Sequence, residues 1–201
     1  MSGPDKKIVI GFTDRVEGGA RNKAHRRIAI TIIVEELLKG GAKIENITLL
    51  CAVGLHRQNT LEEWYWYLGK EIVNLSILAE WLIMTPKTQA CVTTVWMKWV
   101  MLSSATGFWP NADLPILSVS APEIHMAGIA GGYKMLVTGH SGWRSIGSHH
   151  CPETMHRRNW LGASTKCHMH RQFNSIGLAM EEGVGKEYSV RRPFSEESPR
   201  F

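Results

Sequence analysis

Two apolar runs with the period of a buried strand, each followed by a run with the period of a helix, fill the first 75 residues and restrict what the chain can build. Residues Lys7 to Phe12, KIVIGF, form a short β-rich run that ends in the polar, turn-forming segment TDRVEGGARN. From about Lys23 the period changes: Ile30, Ile33, Val34, Leu37 and Leu38 fall at helical spacing, and Gly40-Gly41 supplies a C-terminal stop. The next run, NITLLCAVG, is apolar nearly throughout, as a strand covered on both faces must be. It passes through LHRQNT to Thr60 and Glu63, a capping-box pair at the start of TLEEWYWYLG. A β-α-β-α opening implies a right-handed parallel crossover. The expected class is α/β: a Rossmann-like parallel or mixed sheet flanked by helices, in a single domain.

Beyond that opening the pattern is uneven. Residues 76–111 carry Trp81, Trp96, Trp99 and Trp109 and keep neither period, so mixed structure is expected there. DLPILSVS reads as a further buried strand, followed by the glycine-rich loop GIAGGYKM, the run KMLVTG and a histidine-rich segment to about His170. An amphipathic piece, FNSIGLAMEEGVG, comes last before a polar tail. The domain is placed at residues 1–187 and the tail at 188–201. At 201 residues, 44% of them hydrophobic, the chain is long enough for one real core. A net charge of +5 suits an anionic small molecule, but the Lys and Arg are scattered and form no stripe for nucleic acid. The most apolar long stretch, Cys91 to Trp109, is interrupted by Lys98, Ser103, Ser104 and Gly107, which argues against a membrane span. Four cysteines without a CxxC pair, and no leader-like start, point to reduced thiols and a cytoplasmic protein.

Ligands of open α/β sheets bind at the carboxyl ends of the strands. Three such ends carry polar groups here: Thr13-Asp14-Arg15, Leu55-His56-Arg57, and the loop from His125 to Lys134 with Gly131 and Gly132. Lys134 admits three readings: a phosphate cradle, a buried lysine that makes a covalent bond, or a solvated charge at a loop end. A P-loop needs a glycine where Tyr133 stands and a hydroxyl where Met135 stands, so nucleotide hydrolysis is disfavoured. Seven of the nine histidines lie from position 125 onward, beside Cys151 and Cys167, but no pair has the spacing of a structural zinc site. His56 differs from them. It follows a buried strand through a glycine, with Arg57 beside it, and is a candidate general base.

Taken together, GFTDR, NITLLCAVGLHRQNTLEE, LGKEIVN, AGIAGGYKMLVTG and SIGSHHCPETMHR resemble the amino-terminal domain of the nickel-pincer lactate racemase family. The resemblance covers roughly residues 8–75 and 112–187. It implies a cofactor, the nickel-pincer nucleotide (a pyridinium-3,5-bisthiocarboxylic acid mononucleotide with nickel), attached through Lys134, with His150 completing the metal's coordination. Asp14, Gly131 and Gly132 would flank the cofactor. His56 and His125 would be the acid/base pair, one for each enantiomer of a small 2-hydroxyacid whose C2 hydride moves to the pyridinium ring. Arg15 and Arg57 would hold the substrate carboxylate. A second domain or chain would complete the cleft. Three departures stand out: Glu17 occupies the place of a second arginine, His125 is nine residues before Lys134 where ten are expected, and residues 76–111 lack the family's His-Asp signature. Two other readings are kept: a non-catalytic nucleotide- or metal-binding α/β module, and a zinc- or nickel-storing protein.

Overall fold

A computed structural model of the chain describes residues 5–14, 25–57, 59–77, 82–83, 91–97, 101–106, 112–118, 123–124, 128–129, 131–141, 143–152 and 168–184. Its centre is a four-stranded parallel sheet. Strand β1 (Ile8–Thr13) lies between β2 (Ile47–Ala52) and a later strand, Leu114–Ser118, while Leu82–Ile83 extends the sheet beyond β2. We number Leu82–Ile83 as β3. The strand Leu114–Ser118 is β6, after the pair β4 (Cys91–Met97) and β5 (Met101–Thr106). In register, Ile8 pairs with Ile47 and with Leu114, and Thr13 pairs with Ala52, so the carboxyl ends of β1 and β2 are level.

Paired residues of parallel strands share a face, and the face bearing Ile8, Ile10 and Phe12 also bears Ile47, Leu49 and Cys51. Helix α1 (His25–Lys39) packs on it with Ile30, Val34 and Leu37, and Trp64 of α2 (Leu61–Tyr67) meets Phe12 edge-on at 5.8 Å. Each fully buried Ile or Phe here contributes on the order of 2 kcal/mol from area removed from water. The buried stripe of α1 starts a turn earlier than the sequence indicates, at Arg26, and Leu38 at its other end is 37% exposed. The helix then stops as expected: Gly41 takes φ 87°, its N–H reaches Leu38 O at 3.0 Å, and Ala42 N–H reaches Leu37 O at 3.0 Å. The Thr60–Glu63 capping box forms in both directions. After α2 the chain breaks at Gly69, φ 94°, and continues as α3 (Lys70–Ile77).

Within residues 76–111 the structure contains the end of α3, β3 and an antiparallel hairpin, β4 with β5, whose register shifts between Thr93 and Val95. A small ribbon, β7 (Glu123–Ile124) with β8 (Gly128–Ile129), precedes the glycine loop. The run Met135–Gly139 is a π-turn, followed by α4 (Trp143–His149) and α5 (His168–Val184). The π-turn covers the second face of the sheet so closely that a Cβ on Gly139 would lie 2.5 Å from that of Ala52. No helix among the described residues is long and apolar enough to cross a membrane. The tail at 188–201 lies outside the described residues.

Candidate active site

The level ends of β1 and β2 bring their following residues together. Asp14, one residue past β1, is 1% exposed, and its Oδ2 lies 2.8 Å from Nδ1 of His56 on the loop after β2. Arg26 of α1, fully buried, donates from Nη1 to the main-chain oxygen of Asp14 at 2.9 Å. His56 therefore has one ring nitrogen committed to a buried carboxylate, while 45% of its side chain remains exposed.

The same loop is fastened to the π-turn. Gly54 N–H donates to Gly139 O at 3.1 Å, and with φ 57° and Thr138 O at 3.3 Å from a would-be Cβ, only glycine is comfortable there. Gly131 and Gly132, φ 79° and 55°, turn the chain into Lys134. Single-turn π segments are frequent at functional sites. Here the turn puts Lys134 and Thr138 on the wall of an open cleft with a cavity volume of about 140 Å³. Asp14 and His56 stand on that wall, as do Gly131 and, from the end of α4, His150. Met135, Ile146, Met169 and Phe173 give it an apolar lining.

His150 has its Nδ1 3.2 Å from Ile146 O, and since a carbonyl only accepts, that nitrogen carries the proton. Nε2 is left with a free lone pair in the neutral ring. Burial holds the His150 pKa below its ordinary value, opposed by the bond to Ile146 and reinforced by the charge of Lys134. The donor is thus a neutral imidazole fixed in one tautomer, the form in which histidine binds metals. Among the described residues no group of three His, Cys, Asp or Glu side chains gathers to hold a metal unaided.

Comparison with known proteins bears on the fold. Residues 1–93 match the model of the lactate racemase N-terminal domain. The fold is that of this domain. The structure of the lactate racemase apoprotein from Thermoanaerobacterium thermosaccharolyticum superposes with a TM-score of 0.75 at 20% identity, covering 90% of this chain and 41% of that one. A crystal structure of a protein from Thermotoga maritima gives a TM-score of 0.75 at 14% identity, with 90% and 44% covered. The chain thus spans less than half the length of either. No curated protein matches it. The lactate racemase model covers the strand ends with Asp14 and His56, whereas Lys134 and His150 lie beyond it and within a chain that the structural likeness covers almost throughout.

Of the residues singled out from sequence, five come together in the cleft: Asp14, His56, Gly131, Lys134 and His150. Gly132 is next to them in the loop without lining the cleft. Arg57 turns to Glu63, its Nη1 and Nη2 at 2.9 and 2.6 Å from the two carboxylate oxygens, and is not part of the lining. Arg15, Glu17 and His125 lie outside the described residues. Arg26, Thr138 and Phe173 are marked individually by no motif legible in the sequence. The pair His149-His150 was a visible signal, but adjacent helical residues point about 100° apart, and only the fold decides which one reaches the cleft.

Proposed function

We infer that this cleft is the cofactor-holding half of a 2-hydroxyacid racemase or epimerase site that uses the nickel-pincer nucleotide. The observation that carries the reading is one wall bearing a carboxylate-backed histidine, His56, together with Lys134 and a tautomer-fixed imidazole, His150. Lys134 is the amine to which the cofactor would be joined. His150 Nε2 is the nitrogen that would meet nickel(II), a metal suited to a square-planar field of nitrogen and sulfur donors. When bound, the group supplies a metal-activated pyridinium ring able to accept hydride from C2 of the substrate.

The rest of the chemistry belongs to this chain's own residues. Asp14 accepts from Nδ1–H of His56, which orients the ring and stabilises the imidazolium formed when Nε2 takes the substrate's hydroxyl proton. Return of that proton after C2 has been rebuilt on its other face gives the opposite enantiomer, with His125 the candidate for the second proton-exchanging histidine. Met135, Ile146, Met169 and Phe173 exclude water from the cofactor side. A substrate-binding part for Arg57 requires it to leave Glu63, and this pairing favours the second reading, a module that holds its cofactor without turnover.

Expression of the chain in a host that makes the cofactor tests the proposal. Intact-mass measurement is expected to show a fixed added mass that Lys134→Ala abolishes. His150→Ala retains that mass but loses nickel on dialysis. Chiral chromatography of D- and L-lactate separates a racemase from a binding module. An unmodified Lys134, or an added mass that survives Lys134→Ala, overturns the assignment.

A further inference from the structure

One residue that does not line the cleft touches three that do. His149 is fully buried, yet its Nε2 lies 3.3 Å from Oγ1 of Thr138, and its ring meets Phe173 edge-on at 4.9 Å and His150 at 4.8 Å. Thr138, His150 and Phe173 all face the cleft. An imidazole in a core is a costly filler compared with Phe or Leu unless its polar atoms are bonded. The bond to Thr138 gives this one a use. A threonine hydroxyl has one proton and two lone pairs, so when Nε2–H of His149 occupies a lone pair the proton is directed elsewhere. Thr138 follows Lys134 by four residues on the wall, with apolar Met135 and Ile146 also lining the cleft. An apolar wall that carries a cation and a hydroxyl suits a flat ring with acidic substituents.

We propose that Thr138 is a ligand-binding donor of the cleft, taking a carboxyl-type oxygen on a planar ring acid, and that His149 is the positioning residue that turns the hydroxyl toward it. The proposal rests on the reading of the cleft as a cofactor site and adds to it the donor for the ring's acidic group. Thr138 Oγ1–H then points at the ligand oxygen while His149 Nε2–H donates to Oγ1 from behind, and no bond other than these hydrogen bonds is made.

Calorimetric titration of the full chain with pyridine-3,5-dicarboxylate tests it. Thr138→Val is expected to weaken binding at least tenfold and Thr138→Ser by less than threefold, with unchanged unfolding midpoints. His149→Phe, which keeps the ring contacts, matches Thr138→Val, and the double variant binds no more weakly than either single one. Additive losses in the double variant, or wild-type affinity in Thr138→Val, overturn the proposal. If His149→Phe fails to fold, the Val and Ser variants at 138 decide alone. Binding lost in Lys134→Ala but kept in Thr138→Val removes only this proposal; failure of the unaltered chain to bind the dicarboxylate removes both it and the cofactor reading.

Discussion

A carboxylate buried as deeply as Asp14 is stable only if its oxygens are bonded, and at least one of them is held by His56. Arg26 fixes the residue from the other side through its main-chain oxygen. Asp14→Asn keeps the shape and removes the charge that stabilises an imidazolium, so racemisation by the loaded protein is expected to fall about a hundredfold or more. Chiral chromatography measures this; an unchanged rate would remove the dyad from the mechanism. Glu17, outside the described residues, is expected from the sequence to bear on the substrate instead. Its carboxylate repels another carboxylate, whereas arginine would grip one with two parallel bonds. Glu17→Arg is therefore expected to raise turnover of 2-hydroxyacids, and robust turnover by the unaltered chain without a gain in the variant would show that another residue holds the substrate.

Among the elements, α5 has little room to change at Gly177. A Cβ on Gly177 would collide with the ring of Tyr133, the residue before Lys134, so the helix and the lysine loop are locked together at a point where only hydrogen fits. Gly177→Val is expected to cost about 1–3 kcal/mol by overpacking. Thermal unfolding should register that as a fall of several degrees, and Lys134 should lose its place in the cleft. How far such elements could be read from sequence depended on how local their causes are. β1, α1, β2 and the capped start of α2 follow from period and from Thr60 and Glu63, and the meeting of Asp14 with His56 follows from strand ends brought level. The β4–β5 hairpin was hidden because Lys98-Trp99-Val100, between its strands, offers none of the Gly, Asn or Asp that marks a tight turn. In MLVTG an apolar run concealed a π-turn, since composition alone does not mark the extra residue per turn. Arg57, read as a substrate ligand, was captured by Glu63, whose carboxylate also serves the cap of α2.

For the molecule as a whole, buried histidines contribute to the response to acid. His140 is fully buried, its Nε2–H bonded to Leu50 O at 3.0 Å, and burial lowers its pKa to about 4. Between that value and the ordinary 6.5 the unfolded chain takes up a proton that the folded chain refuses, so stability falls as pH drops through this window and is unaffected above it. At about 1.4 kcal/mol per pH unit the loss from His140 is roughly 3 kcal/mol. His25, His150 and His170, all lowered chiefly by burial, act in the same direction. Urea unfolding at pH 7.5, 5.5 and 4.5 is expected to trace this decline, with a shallower slope in His140→Gln, which keeps a donor for Leu50. Equal slopes would remove His140 as a cause.

Met169 and Phe173 reach the cleft from the last described helix, while Asp14 comes from just past the first strand. Contacts this distant in sequence close late, after the chain has already given up most of its freedom. On the ribosome the amino-terminal strands can pair long before that helix has emerged, and until it docks the wall behind Lys134 is missing. A ligand of this cleft would therefore be received only by a finished polypeptide, and a chain interrupted before His168 would leave synthesis with Lys134 and His56 present and no enclosed place to receive one.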